Sequence, residues 1–162
     1  MVGTDHHPFD RLVAWIDGWL ESRAVPVDCL VQHGTSAPPR LARGRAYLDP
    51  SSIGALMGTA RVVVSHGGPA TISEARRFGH RPVVIPRNSR LGEHVDDHQM
   101  RFTRRLAQAG LIDVVETADD LASAIESRLE GVLGESQSTA PPDATQAARR
   151  FGEVVDEILR SR

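Results

Sequence analysis

The segment that most limits how this chain can fold is Arg61–Ala75. Val62-Val63-Val64 is a continuous apolar run without alternation, the pattern of a strand buried on both faces. Ser65-His66-Gly67-Gly68 follows, and Pro69 opens a segment of helical period. A strand that passes through a glycine turn into a helix is the first half of a strand–helix–strand unit. Gly67 and Gly68 let the backbone come close to a ligand, and the first N–H groups of the helix lack intrahelical partners at the positive end of its dipole. An anion fits such a turn. His66 and Thr71 are placed to contact a phosphate, and Glu74 to accept a hydrogen bond from a sugar hydroxyl.

The same alternation runs along the chain. Phe9, Leu12, Val13, Ile16, Trp19 and Leu20 recur at helical spacing after Pro8. Val27–Gln32 reads as a buried strand that ends in His33-Gly34-Thr35-Ser36, and a short strand is expected at Ala46–Leu48. Pro50-Ser51-Ser52 opens a helix carrying Ile53, Leu56 and Met57. Strands are expected at Arg61–Ser65, Pro82–Pro86 and Ile112–Val115, and helices at Thr71–Phe78, Asp96–Ala109 and Ala118–Leu133. This pattern predicts an α/β fold with a doubly wound parallel sheet, Rossmann-like, which binds ligands at the carboxyl ends of its strands. The loops at that edge begin with Gly3-Thr4, His33-Gly34, His66-Gly67-Gly68 and Arg87. Residues 1–133 form the domain, and 134–145 read as a flexible linker rich in Ser, Thr and Pro. Residues 146–162 form an amphipathic helix that either packs back on the domain or docks on a partner.

Composition removes several classes. The net charge of −2 points to no nucleic acid. Cys29 is the single cysteine and reads as strand filler, so neither a disulfide framework nor a cysteine zinc site is possible, as suits a reducing cytoplasm. No apolar run approaches the roughly 18 residues needed to span a bilayer, and no signal peptide is evident.

Four ordered motifs then carry a resemblance. Val2-Gly3-Thr4 with Pro8-Phe9-Asp10-Arg11-Leu12, Ser65–Ala75, Pro82–Arg87 and Gly92-Glu93-His94-Val95-Asp96-Asp97-His98-Gln99 resemble the C-terminal, donor-binding domain of family 28 glycosyltransferases. The likeness is greatest to single-domain members. These are the catalytic subunit of the two-part N-acetylglucosaminyltransferase of asparagine-linked glycosylation and similar bacterial exopolysaccharide subunits. It implies the C-terminal half of a two-domain architecture. It further implies an inverting, metal-independent transfer of a sugar from a uridine diphosphate (UDP) sugar to a saccharide acceptor, lipid-linked, in polysaccharide synthesis. By resemblance, Gly3, Thr4, His66, Gly67, Gly68 and Thr71 hold the diphosphate and Glu74 the ribose. Asp97, His98 and Gln99 meet the donor sugar, and Arg87 is a further phosphate or sugar contact. No metal and no cofactor are expected, and the chain has no Asp-X-Asp triplet, the metal anchor of the other large glycosyltransferase architecture.

The resemblance also implies a membrane-associated subunit that binds the acceptor, carries the catalytic base and recruits this cytoplasmic chain to the inner face of the plasma membrane. The last helix is the expected contact. Glucose, galactose, glucuronate and N-acetylglucosamine remain open as the sugar. A non-catalytic nucleotide-sugar-binding module is the alternative function.

On the residues alone, other readings stand beside these. His66 can close a turn, and Glu74 can be an acid favoured by the helix dipole. His98 and Gln99 can be first-turn residues capped by Asp96 or Asp97. Arg87 and Arg90 can be solvated loop arginines, and His6, His7 and His33 can be surface loop residues. The chain departs from the family in having only Met1-Val2 before the Gly-Thr turn, so the first strand reads as truncated.

Overall fold

The computed structural model describes residues 1–96, 98–134, 149 and 151–156. Over them, parallel strands alternate with helices. In order these are α1 (Asp10–Glu21), β1 (Leu30–Gln32), β2 (Arg43–Arg45), α2 (Pro50–Thr59), β3 (Val64–His66), α3 (Pro69–Arg77), β4 (Val83–Ile85), α4 (His98–Gln108), β5 (Asp113–Val114) and α5 (Ala118–Gly134). One ladder pairs β1 with β2, Leu30 opposite Arg43; the other pairs β3 with β4 and β4 with β5, Val64 opposite Val83 and Val83 opposite Asp113.

The first residues of the chain join the two ladders. Met1 donates its amino group to the Val64 carbonyl at 2.7 Å and accepts the His66 N–H at 3.1 Å. Val2 donates to the Gln32 carbonyl at 3.0 Å. The order across the sheet is therefore β2, β1, the Met1–Val2 stub, β3, β4, β5. This is the doubly wound parallel arrangement the sequence implies.

Period-two alternation sends successive strand residues to opposite faces. Val83 and Ile85 face α1 and α5, packing with Phe9, Leu12, Ile16 and Leu121. Val84 faces the other side, with Ile72 of α3 and Leu106 of α4. Helices thus cover both faces, and burial on each side explains why the strands are continuous apolar runs.

Three expectations are corrected. The short strand lies at Arg43–Arg45, not Ala46–Leu48. It is an edge strand held by backbone pairing to β1, with Arg43 and Arg45 exposed, so it has no apolar signature. The strands are shorter than their apolar runs, because at Val27–Cys29 and Arg61–Val63 a ladder partner is missing on one side. Of the two alternatives for the last helix, residues 151–156 take the one in which it packs back on the domain. There Phe151 is buried with Leu106, Leu111 and Ile112, and Val154 and Val155 pack against the same cluster. Gly134, the first residue of the expected linker at 134–145, ends α5; residues 135–145 and the remainder of the last helix lie outside the described residues. Among the described residues, no helix is long and apolar enough to cross a membrane.

Candidate functional site

At the carboxyl edge of the sheet, the loops after the stub, β3 and β4 come together around one imidazole. Gly3 has φ +90°, and a Cβ there would lie 2.7 Å from Nε2 of His66. Gly68 has an ordinary φ of −74°, yet its Cβ would lie 2.2 Å from the same atom. The His66 ring is therefore clamped between two glycines of different loops; Gly68 is required by that approach alone, and Gly3 by both the approach and its left-handed backbone. The ring is buried, and its Nδ1 has no hydrogen-bond partner among the described residues.

Burial, with the nearby Met1 amino group and Arg87 guanidinium adding to it, pushes the His66 imidazole down to about 4. At neutral pH the ring is uncharged, so it meets a ligand as a neutral group and not as a cation. The unfolded chain, with an imidazole near 6.5, takes up its proton first. This residue leaves stability unchanged above pH 6.5 and favours unfolding progressively as pH falls from about 6.5 towards 4. Urea denaturation is expected to give a stability at pH 5 about 2 kcal/mol below that at pH 7 from this ring. The His66 Cε1 proton should not titrate in NMR spectra between pH 8 and 5; a midpoint near 6.5 would contradict the buried neutral ring.

Beyond the turn, α3 starts without a side-chain cap. Gly68 is the N-cap, Pro69 has no N–H, and the N–H of Ile72 is the first to be bonded inside the helix, to Gly68. The N–H groups of Ala70 and Thr71 are left at the positive end of the dipole. Gly67 is buried against α4: a Cβ would lie 3.1 Å from Oε1 of Gln99 and 3.0 Å from Cγ2 of Thr103. Gln99 Oε1 also accepts the Arg87 N–H at 3.4 Å. The structure thus brings Gly3, His66, Gly67, Gly68 and Gln99 together, with Thr71 and Glu74 on the first turns of the same helix. Thr4 is exposed beside them. Glu74 is partly exposed and lies 4.0 Å from Arg77.

Two of the expected residues are placed differently. Arg87 does not face the ligand edge. It is 1% exposed, and its guanidinium donates to the carbonyls of Val2 at 2.8 Å, His7 at 2.7 Å and Glu93 at 2.8 Å while lying over the Phe9 ring. It is a clamp between the first loop and the loop after β4, which corrects its reading as a phosphate or sugar contact. His98 is exposed at the start of α4, with its ring on Arg101 and Asp96 and its N–H on the Asp96 carboxylate. It does not contact the glycine turn. Asp97 lies outside the described residues.

Other residues of the site carry no role in the sequence reading. Arg11 makes a two-point pair with Glu93, both bonds at 2.8 Å, and donates to the Pro86 carbonyl. Glu93 is buried and also accepts the Asn88 N–H. Arg11 and Glu93 both stand within the quoted motifs, but nothing in the sequence says that they meet. Asp5 is flanked by His7, Nδ1 at 2.7 Å, and by His94, Nε2 at 3.7 Å. Desolvation raises the Asp5 pKa, but the hydrogen bonds from His7 and the charge of Arg87 outweigh it and hold the carboxylate down at about 2. Asp5, His6 and His7 offer ligand atoms within 4.8 Å of one another, the group among the described residues that could hold a metal ion.

With this geometry in hand, comparison with known proteins gives a consistent result. Residues 2–157 match the glycosyltransferase family 28 C-terminal domain. Two curated relatives bear the name UDP-N-acetylglucosamine–N-acetylmuramyl-(pentapeptide) pyrophosphoryl-undecaprenol N-acetylglucosamine transferase. The one from Azotobacter vinelandii is 33% identical over 97 residues, covering 54% of this chain and 26% of the relative. The one from Pseudomonas syringae pv. syringae is 34% identical over 99 residues, covering 55% and 27%. The chain thus matches about a quarter of the length of these relatives. No solved structure matches it significantly.

Proposed function

The chain belongs to glycosyltransferase family 28, and on that premise we propose that it is the donor-binding catalytic subunit of an inverting, metal-independent glycosyltransferase. The glycine cradle around His66, opening onto the uncapped start of α3, is the observation that carries this reading. Transfer from a UDP-sugar breaks the bond to the anomeric carbon and leaves charge on the diphosphate. Backbone N–H groups fixed at a helix start stabilise that charge without reorganising.

Gly3, Thr4, His66, Gly67, Gly68 and Thr71 line the diphosphate position, and Glu74 accepts from the ribose. Gln99 faces the sugar from α4, with His98 at the start of that helix, and the family resemblance adds Asp97 to the sugar contacts. The names of the relatives favour UDP-N-acetylglucosamine as the donor and a lipid-linked saccharide as the acceptor. Leu91 and Val95 are exposed on the loop beside the site and offer apolar contacts to a second subunit. That subunit, membrane-associated, supplies the acceptor site and the general base and holds this chain at the inner face of the membrane.

The test is transfer of labelled N-acetylglucosamine to a lipid-linked acceptor, with and without the membrane subunit. Transfer is expected only with both chains. Donor binding without transfer in the complete system would instead favour a non-catalytic nucleotide-sugar module. Glu74→Ala is expected to weaken UDP affinity about ten- to a hundredfold, the loss of a hydrogen bond to a charged group. Its melting temperature should be unchanged; unaltered affinity would remove Glu74 from the ribose position.

A further inference from the structure

The first loop and the loop after β4 meet at a group of side chains that the donor-binding reading does not use. Asp5 stands at its centre. Its Oδ1 lies 2.7 Å from Nδ1 of His7 and 3.4 Å from Nδ1 of His6, and its Oδ2 lies 3.7 Å from Nε2 of His94. Three imidazoles, from two separate loops, thus converge on the two oxygens of one carboxylate. Residue 7 alone already satisfies Asp5, because its backbone N–H also donates to Oδ1 at 2.8 Å. The nitrogens of His6 and His94 stand off at a different spacing. Zinc bonds of about 2.0–2.1 Å in a tetrahedron put ligand atoms about 3.3–3.4 Å apart, which is the spacing of atoms that share an ion.

The backbone on both sides is fixed for such a site. The Arg87 guanidinium donates to the His7 carbonyl at 2.7 Å and to the Glu93 carbonyl at 2.8 Å. One buried group therefore holds the residue that carries the His7 ring and the residue before His94. The Thr35 hydroxyl donates to the Asp5 carbonyl at 3.0 Å. On the far side of the His94 ring, Oδ1 of Asp96 lies 3.3 Å from Nδ1. A carboxylate there keeps the ring proton on Nδ1 and leaves Nε2 turned towards Asp5, the arrangement that orients metal-bound histidines. The Asp96 N–H reaches the same Nδ1 at 3.3 Å, so the ring can hold either tautomer, and an ion at Nε2 selects the one protonated on Nδ1. Asp5, His7 and His94 are partly buried and His6 is exposed, which leaves the cluster open to an entering ion.

We propose that Asp5, His6, His7 and His94 form a binding site for a divalent transition metal of the zinc type, which ties the first loop to the loop after β4. Three imidazoles and one carboxylate suit zinc, whereas magnesium and calcium require oxygen ligands. The adjustment is small. His6 already stands at the tetrahedral spacing, and His94 closes by about 0.3–0.4 Å from the side of Oδ2. Nδ1 of His7 draws back by about 0.6–0.7 Å as its hydrogen bond gives way to the ion. The Arg87 charge beside Asp5 opposes the ion, so the affinity is micromolar and not that of a closed structural zinc site. The site goes beyond the donor-binding reading, and no step of transfer passes through the ion.

The test is isothermal titration of the full chain with zinc chloride in the absence of donor. One ion per chain is expected, with a Kd of about 1–10 μM, and magnesium at the same concentrations gives no heat. Zinc at about a hundredfold excess over Kd should raise the melting temperature by roughly 5–10 °C. Asp5→Asn, His6→Ala, His7→Ala and His94→Ala should each weaken zinc binding at least about tenfold with the circular dichroism unchanged, and His33→Gln should bind as the native chain does. In NMR spectra the ring-nitrogen resonances of His6, His7 and His94 should shift with zinc, and those of His66 and His80 should not. Two results would overturn the proposal. One is the absence of saturable binding below about 100 μM zinc. The other is binding that survives His6→Ala and His7→Ala but is lost in His98→Ala, which would place the ion at the exposed start of α4. Neither outcome bears on whether the chain binds a nucleotide sugar.

Discussion

Gly68→Ala is expected to abolish donor binding. At φ −74° and ψ 129° alanine is an ordinary residue, so backbone strain is not the cause. The cause is the Cβ, which would lie 2.2 Å from Nε2 of His66. The ring cannot withdraw, because Gly3 presses on its other side and the stub lies beneath. Either His66 leaves its niche or Gly68 moves out of the cradle, and both disturb the backbone proposed to face the diphosphate. A loss of at least about a hundredfold in UDP affinity is expected, with a stability cost of about 1–3 kcal/mol for overpacking. Gly18→Ala is the control. Gly18 is an exposed position inside α1 with nothing near its missing Cβ, so alanine there should stabilise the fold by about 0.5–1 kcal/mol and leave binding intact. Equal binding by Gly68→Ala and the native chain would mean that the ligand does not approach this turn.

The largest effect on stability is expected at Arg87. Alanine there strands the carbonyls of Val2, His7 and Glu93, all accepting from one buried guanidinium, and opens a void under Phe9. Unsatisfied buried acceptors cost about 1–3 kcal/mol each, partly offset because the charge no longer has to be desolvated. A net loss of about 3–5 kcal/mol is expected in urea denaturation, with the slope unchanged, and a melting temperature lower by roughly 10 °C. Arg87→Lys should recover little, because an ammonium lacks the planar fork that reaches three carbonyls in different directions. A loss below about 1 kcal/mol for the alanine variant would show that Arg87 does not tie the two loops.

The contrast between these residues shows what a sequence can carry here. The alternation of apolar runs and amphipathic segments reflects burial on both faces of a parallel sheet, so element types and order were readable. The glycine turn was readable because strand, turn and helix start are contiguous. Its meaning was not. That Gly3 and Gly68 enclose one histidine depends on two loops more than sixty residues apart, and local patterning has no term for that. Arg87 resembles any loop arginine until the carbonyls it binds are in place. The pair Arg11–Glu93 is similarly a product of tertiary approach, across two motifs that the sequence presents separately. β2 was displaced because an edge strand held by backbone pairing need not be apolar.

The turn from Ser65 to Ala75 is proposed to bind the diphosphate of a nucleotide sugar. Isothermal titration of the native chain with UDP and with UDP-N-acetylglucosamine tests it most directly, using circular dichroism to confirm the fold. Saturable one-to-one binding is expected in the range of about 1 μM to 1 mM, as for enzyme donors generally, without added divalent metal, and absent in Gly68→Ala. No heat of binding to the folded native chain, or equal binding by Gly68→Ala, would mean that this turn does not hold the diphosphate.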